Sequence, residues 1–215
     1  MLESTHNLAI NSQKNFFDWN QFSSSLLIEV NRGGEIYTSS AVLIKRNVLL
    51  TAAHSVENID EGYVHLSHCY KNSNTKVKFK KVVIHSEYNK ELSNFKNDLA
   101  LIVLEHNLPK EITPVSMDIN TAESLERGVG IDRVGFGARS GKNKRTWTNP
   151  KLNSVLERHL ELVDTKSVVG DSGGPLYLDG KLVGIHSTKE GEKTFAVNLE
   201  FYKNWIEKNL PLKRI

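Results

Sequence analysis

Short runs of apolar and β-branched residues, separated by polar turns, constrain the fold of this chain most strongly. Each run has the length of a single strand, and Gly, Asn and Asp are common between the runs. Residues 31–34 and Asp179-Gly180 are typical turn sequences, and the second suits a two-residue hairpin. The pattern therefore predicts an all-β chain. The predicted strands are Leu26–Val30, Ile36–Ile44, Asn47–Thr51, Val64–Leu66, Val77–His85, Leu99–Leu104, Val134–Gly137, Pro175–Leu178, Leu182–Ser187 and Thr194–Leu199.

Three segments depart from this strand pattern. In residues 201–210 the apolar side chains recur at helical spacing, which predicts a C-terminal helix. Between Leu152 and Val163 the apolar residues also fall at helical spacing, but the same stretch is compatible with one or two strands. Residues 105–126 form a looser stretch that we expect to cross from one half of the molecule to the other.

The composition fits a globular chain with its own hydrophobic core. The 215 residues are 39% hydrophobic, which suits one domain or two small, tightly joined barrels. The formal net charge of +3 is only mildly basic and does not indicate a nucleic-acid partner. No apolar run approaches the ~20 residues that a membrane-spanning helix needs. Cys69 is the only cysteine, so an intramolecular disulfide is impossible and stability must come from burial and sheet hydrogen bonds.

Three short motifs supply the residue types of a nucleophilic active site. Ser172 lies in the glycine-rich segment 170–175, His54 ends the segment 51–54, and Asp98 lies in the segment 97–101. A serine hydroxyl is a poor nucleophile at neutral pH, because its proton is tightly held and an imidazole must take it. The chain order His, Asp, Ser distinguishes this set from two other lineages of catalytic triad.

Together the motifs resemble those of the chymotrypsin/trypsin family of serine endopeptidases. The resemblance implies an all-β fold of two packed six-stranded antiparallel Greek-key barrels with a C-terminal helix. It implies that His54 is the general base, that Asp98 fixes and stabilises the imidazole, and that Ser172 becomes acylated. The backbone N–H groups of Gly170 and Ser172 would form the oxyanion hole. Ser187 would support Asp98 and open the strand that pairs with the substrate.

On this basis residues 1–215 form a single peptidase domain. We place the first barrel at about 26–110, the second at about 128–200 and the helix at about 201–210. Residues 1–25 would be an N-terminal arm or a pro-segment. The half-cystines that many relatives carry after the histidine and before the nucleophile are missing here. Their absence favours a disulfide-free, bacterial-type member, or one that works where thiols stay reduced.

The residues expected in the substrate pocket suit a carboxylate. In the family the floor of this pocket lies six residues before the nucleophile, which is Lys166, with Ser167 beside it. His186 falls at a wall position and Lys189 near the entrance. These residues predict cleavage after Glu, with Asp second. Alternatively, a one-residue shift would turn Lys166 to solvent, or Asp164 would neutralise it.

Asp171 matches the aspartate that controls activation in the family. There, a freshly cut N-terminus inserts into the protein and pairs with this aspartate. The family's usual N-terminal sequence is absent, and the equivalent region lies near 13–17, where Lys14-Asn15 is a candidate processing site. Asp171 could equally pair with an internal group and need no cleavage. The alternatives to an active endopeptidase are a latent zymogen and a catalytically silent binding module.

We expect no cofactor and no metal. On a strand, His65 and His68 would point to opposite faces, which disfavours a metal site with Cys69. The basic stretch between Arg139 and Arg158 either steers acidic substrates or is simply solvated. The expected partners are protein or peptide substrates, with no nucleic acid and no membrane, and the expected state is a monomer. Residues 1–15 lack the pattern of a secretory signal, and the expected location is secreted or periplasmic, with an intracellular one as the alternative.

Overall fold

The computed structural model of the chain describes residues 22–66, 75–89, 91, 96–117, 125–139 and 142–211. Every predicted strand overlaps an observed one, so the all-β prediction is confirmed. The ambiguous stretch from Leu152 to Val163 forms two strands and no helix. The strands are β1 (Ser25–Arg32), β2 (Glu35–Lys45), β3 (Val48–Thr51), β4 (Glu61–His65), β5 (Lys76–Ile84), β6 (Ala100–Leu104), β7 (Asp132–Gly135), β8 (Ala138–Arg139), β9 (Lys142–Asn143), β10 (Thr146–Thr148), β11 (Lys151–Val155), β12 (His159–Val163), β13 (Pro175–Leu178), β14 (Lys181–Glu190) and β15 (Lys193–Asn198), and the helices are α1 (Ala53–Val56) and α2 (Leu199–Asn209).

The first half of the chain closes into a six-stranded antiparallel barrel in the order β1-β2-β3-β6-β5-β4. Parts of β2 and β3 are apolar on both faces because each face is buried against a different core. In β2, Leu43 packs into the barrel interior, whereas the neighbouring Val42 packs toward the second half of the molecule. Leu49 and Leu50 in β3 divide in the same way. This double burial explains why the predicted strands are continuous apolar runs.

The second half is a curled seven-stranded sheet in the order β10-β7-β13-β14-β15-β12-β11. The segment leading into β7 hydrogen-bonds β11, since Ile131 N donates to Pro150 O at 2.9 Å and Leu152 N donates to Val129 O at 2.9 Å. These hydrogen bonds do not amount to a continuous ladder, so the sheet is not the closed six-stranded barrel that was predicted. An isolated bridge between Gly130 and Lys151, in place of a continuous ladder, joins its two ends.

The two halves pack against each other through a shared apolar core. Val42 and Leu50 come from the first half, and Val134 and Ile185 come from the second, all fully buried. The polar loops that carry the candidate catalytic residues lie along this junction. Burial of apolar area is the dominant stabilising contribution in such a core.

Helix α2 begins at Leu199, two residues before its predicted start. Asn198 caps it, because its side-chain oxygen accepts a hydrogen bond from Glu200 N at 3.3 Å. The buried stripe consists of Leu199, Tyr202 and Ile206. Within the described part of the chain, no helix is long and apolar enough to cross a membrane.

Candidate active site

The ladder between β3 and β6 brings His54 and Asp98 together. Thr51 pairs with Ala100 at one end of this ladder, so the residues just beyond each strand lie side by side. His54 Nδ1 is 2.7 Å from Asp98 Oδ2, and His54 N donates to Asp98 Oδ1 at 2.9 Å. Asp98 is fully buried, whereas the imidazole is 22% exposed. An ionised carboxylate only accepts, so this contact favours the tautomer with the proton on Nδ1.

Asp98 is held from a second side by the neighbouring half of the molecule. Ser187, on β14, donates its hydroxyl to Asp98 Oδ2. Ser187 is itself buried, so water does not compete for this hydrogen bond. The predicted support of Asp98 by Ser187 therefore corresponds to a contact in the structure.

Ser172 lies on the loop before β13 and lines the same cleft as His54. Its hydroxyl donates to the carbonyl oxygen of Ser187 at 3.3 Å. His54 and Ser172 thus line one cleft at the junction of the two halves, and the buried Asp98 contacts His54 from behind.

The backbone of the loop before β13 turns sharply at two glycines. Gly170 has φ +97° and Gly173 has φ +79°, a region that residues with a side chain rarely occupy. A Cβ at Gly173 would lie 2.1 Å from the carbonyl oxygen of Ser40. Within the described residues, the N–H groups of Gly170 and Ser172 donate to no acceptor. Two unused donors beside a nucleophile are what an oxyanion hole requires.

Ser40, on β2, braces this loop from the opposite half of the molecule. Its backbone N donates to Ser172 O at 2.8 Å, and its hydroxyl donates to Gly170 O at 2.8 Å. The same hydroxyl accepts from Phe136 N at 2.9 Å. Ser40 is fully buried. One residue therefore ties the two candidate oxyanion residues to the first barrel, Ser172 through its backbone and Gly170 through its side chain.

Asp171 points inward and is fully buried, as the prediction for an activation aspartate requires. Its carboxylate accepts from Arg133 Nη1 at 2.9 Å, from Gly137 N at 2.8 Å and from Val168 N at 3.1 Å. Arg133 also donates from Nε to Asp164 Oδ2 at 2.6 Å, and both of these side chains are buried. An internal cation thus pairs with Asp171.

The cleft beside His54 and Ser172 has a volume of about 420 Å³ and is lined by Ser167, His186 and Lys189, among others. His186 Nε2 lies 2.5 Å from Ser167 Oγ. Burial, followed by the nearby Arg133 cation, lowers the pKa of His186 to about 3, so the imidazole is neutral at pH 7. Lys189 Nζ donates to Thr165 O at 3.2 Å and to Ser167 O at 3.1 Å, which places its ammonium at the cleft.

Lys166 does not form the floor of this cleft, and that prediction is wrong. Its side chain is exposed and lies along a different surface, beside Asp164 and Thr148. The backbone is the cause, because Lys166 N donates to Asp164 Oδ1 at 2.8 Å and the turn carries the side chain outward. Ser167 takes the inward position, as in the one-residue shift considered above.

Two other sequence signals are the candidate metal ligands and the basic stretch. Among the described residues, no group of three or more His, Cys, Asp or Glu side chains could hold a metal ion, and His68 and Cys69 lie outside those residues. Two members of the basic stretch serve the fold. Arg145 is buried and donates to Phe22 O at 3.0 Å, and Arg158 donates to Asn97 Oδ1 at 2.7 Å.

Three residues that sequence reasoning missed help to build the site. Ser40 follows Thr38 and Ser39 in β2, and Arg133 follows Asp132 in β7, so polar neighbours hide both residues and no local signal could have found them. Asn97 has φ +56°, is buried, and accepts from Tyr202 Oη at 2.8 Å. Because Asn97 directly precedes Asp98, these contacts fix the backbone that presents the carboxylate.

Comparisons with known proteins agree with this architecture. HL collagenase superposes with a TM-score of 0.81 at 21% identity, covering 92% of this chain and 97% of that chain. Neuropsin, a serine protease expressed in the limbic system of mouse brain, gives 0.77 at 20% identity, covering 93% and 99%. The scabies mite inactivated protease paralogue S-I1 gives 0.77 at 17% identity, covering 89% and 96%. These likenesses confirm the chymotrypsin-like fold.

Sequence comparison is more specific than the fold. No curated protein sequence matches the chain. The family model described as Trypsin matches residues 19–206. Because this match covers well over half of the residues, the chain belongs to the trypsin family.

Proposed function

We propose that this trypsin-family protein is a serine endopeptidase that cleaves peptide bonds through an acyl-enzyme. One observation carries the proposal. The buried Asp98 holds the His54 imidazole at the cleft that also contains Ser172, beside two N–H groups with no acceptor in the described structure. A nucleophile, a base, an orienting carboxylate and oxyanion donors are the complete set that acyl transfer needs.

The proposed reaction follows from this arrangement. Ser172 Oγ attacks the scissile carbonyl carbon while His54 Nε2 takes the hydroxyl proton, and Asp98 stabilises the resulting imidazolium. The negative charge that develops on the carbonyl oxygen is met by the N–H groups of Gly170 and Ser172. Each such donor contributes roughly 3–4 kcal/mol of transition-state stabilisation. The imidazolium then protonates the leaving amine, and water repeats the sequence to release the acid.

The rival proposal is a silent binding module, since the fold is shared with a paralogue described as inactivated. A fluorophosphonate probe, which modifies only an activated serine, separates the two. We expect the wild-type chain to be labelled, with labelling lost in Ser172→Ala and greatly slowed in His54→Ala. Ser25→Ala, a buried serine remote from the cleft, is the control. A wild-type chain that is properly folded and unlabelled would contradict catalysis.

We also propose that the substrate residue before the cleaved bond is Glu, with Asp second. Ser167 and His186 lie at the cleft together, and Lys189 supplies a cation there. The Lys189 ammonium has a third N–H besides the two donated to carbonyl oxygens. The His186 imidazole is neutral at pH 7, so the Lys189 ammonium is the charge that would attract a substrate carboxylate.

A peptide panel tests this preference. We expect substrates with Glu to be cleaved faster than matched substrates with Gln, because the two differ only in charge. Lys189→Met should lower kcat/KM for the Glu substrate about tenfold and change the Gln substrate little. Lys110→Met, at an exposed lysine away from the cleft, is the matched control. Best cleavage after Arg or Phe would exclude the proposal.

We propose further that Asp171 needs no processed N-terminus, because Arg133 already supplies a cation to its carboxylate. The segment that would contain a processing site, 13–17, lies outside the described residues. Protein or peptide chains are the substrate class that family membership implies. A monomeric, exported protein stays our prediction, with an intracellular location as the alternative. Light scattering and cell fractionation measure these two properties.

A further inference from the structure

A second cleft, of about 800 Å³, lies away from the catalytic site and shares no lining residue with it. It is formed where the β2–β3 turn, β5 and the end of β6 meet the C-terminal end of α2. The first barrel contributes strands to this cleft, and the second half contributes the helix. The positive charge of its rim and the apolar residues of its floor together indicate a ligand.

The rim of this cleft is strongly cationic. Lys45, Lys80, Lys81 and Lys208 line it, and none of these four lysines makes an ion pair in the described part of the chain. Glu105 is the only acidic residue in the lining. With Arg46, which also lines the cleft, five cations face one carboxylate, and this surplus exceeds the formal net charge of +3 on the whole chain. Such a concentration attracts and orients anionic partners.

Arg46 lines the same cleft but does a structural task. Its guanidinium donates to Ile112 O at 2.9 Å and also to Leu108 O, so it fixes the chain that leaves the first barrel. The lysines, in contrast, are flexible point charges that can follow an irregular partner. The site is therefore suited to repeated carboxylates more than to a single bidentate anion.

The floor of the cleft is apolar. Val83, Val103 and Leu210 line it and are each partly exposed. A sulfated glycan has no use for apolar floor residues, and a single-stranded nucleic acid would need aromatic side chains for stacking. The lining contains no aromatic residue. Carboxylates over an apolar floor match a polypeptide in which acidic and aliphatic residues are mixed.

We propose that this cleft is a docking site for an acidic, partly aliphatic polypeptide segment of a protein substrate or partner. The cleft lies away from His54 and Ser172, so one polypeptide can bind here and at the catalytic cleft at the same time. Binding through exposed lysines depends on ionic strength, because the Debye length is about 8 Å at physiological salt.

The test measures binding of a short fluorescein-labelled peptide in which Asp alternates with Leu, by fluorescence anisotropy. The full chain carries Ser172→Ala, so that the peptide is not cut and the result does not depend on catalysis. We expect Lys80→Gln/Lys81→Gln/Lys208→Gln to weaken binding about tenfold. The control Lys110→Gln/Lys151→Gln/Lys203→Gln removes the same charge elsewhere and should leave binding within about twofold.

Three results would overturn the proposal. The first is no peptide binding at low salt, and the second is equal binding by the two triple variants. The third is binding of a heparin fragment at this cleft without binding of the peptide. Loss of fluorophosphonate labelling in the wild-type chain, by contrast, bears only on the peptidase proposal and leaves this measurement intact.

Discussion

Arg133 occupies the position from which a cation can hold Asp171 in place. Its guanidinium bridges Asp164 and Asp171, and the three side chains are buried together. Removing one partner from such a buried group leaves an uncompensated charge and costs about 3–5 kcal/mol. Asp171 also accepts a hydrogen bond from Gly137 N. Because Asp171 directly precedes Ser172, these contacts fix the backbone that presents Ser172. The pairing links one arginine to the geometry of the whole site.

This pairing predicts activity without N-terminal processing. A full-length chain with an uncleaved N-terminal tag should be labelled by the fluorophosphonate probe as fast as the tag-free chain. Mass spectrometry of the labelled material should show the intact tag. Arg133→Met should abolish labelling because Asp171 loses its cation, and Arg133→Lys should retain part of it. Labelling that appears only after the N-terminus is cut would contradict the prediction.

The residues of the site were predictable to different degrees. His54, Asp98 and Ser172 lie in local motifs whose chemistry is visible in the sequence, and the structure places them together. The prediction for Lys166 assigned its pocket position by counting residues back from Ser172. The hydrogen bond from the Lys166 backbone N–H to Asp164 instead turns the side chain away from the cleft. The Arg133–Asp171 pair joins residues far apart in sequence, so no local pattern could indicate it.

At the scale of elements, hydrogen bonds hold β2 and the loop before β13 together across the junction of the two halves. Ser40 donates to Gly170 O and accepts from Phe136 N. Ser39 adds a hydrogen bond from its hydroxyl to Ser172 O at 2.7 Å. A strand of the first barrel thus sets the backbone conformation of the second-half loop that carries the nucleophile.

Ser40→Ala should therefore impair the site more than the fold. The substitution leaves Gly170 O and Phe136 N without their partner, at a cost of about 1–3 kcal/mol in unfolding free energy. We expect fluorophosphonate labelling to slow about tenfold, because Gly170 is then held less firmly and its N–H is less well aimed at the oxyanion. Ser25→Ala is the matched control, since its hydroxyl is equally buried and bonds Tyr177 Oη. Equal labelling by the two variants would refute a positioning role for Ser40.

The elements themselves were largely predictable because their apolar and β-branched runs are short and are separated by polar turns. The hairpin turn at Asp179-Gly180 has φ +50° and φ +75°, as its sequence predicted. The strands at residues 152–163 could not be separated from a helix, since helical and strand spacing coincide in so short an apolar stretch. An isolated bridge and a few backbone hydrogen bonds join the open ends of the second sheet, and no local sequence specifies these contacts.

The whole molecule places its site where neither half could form it alone. His54 and Asp98 belong to the first barrel, and Ser172 belongs to the second half. The shared core behind them includes Leu50 and Ile185. A site assembled this way exists only while the two halves are docked, so docking and activity should be lost together.

Two leucine substitutions test this coupling. Leu50→Ala removes packing between the halves, and Leu152→Ala removes packing inside the second half, where Leu152 is 1% exposed. Each should cost about 2–5 kcal/mol. Because the halves share one core, hydrogen exchange should show both variants losing protection in β1–β6 and in β11–β15 to the same extent. Labelling of Ser172 should fall at the same guanidinium concentration as this protection. Loss of protection confined to β11–β15 in Leu152→Ala would instead mean that the halves unfold separately and that the shared core contributes little to the active state.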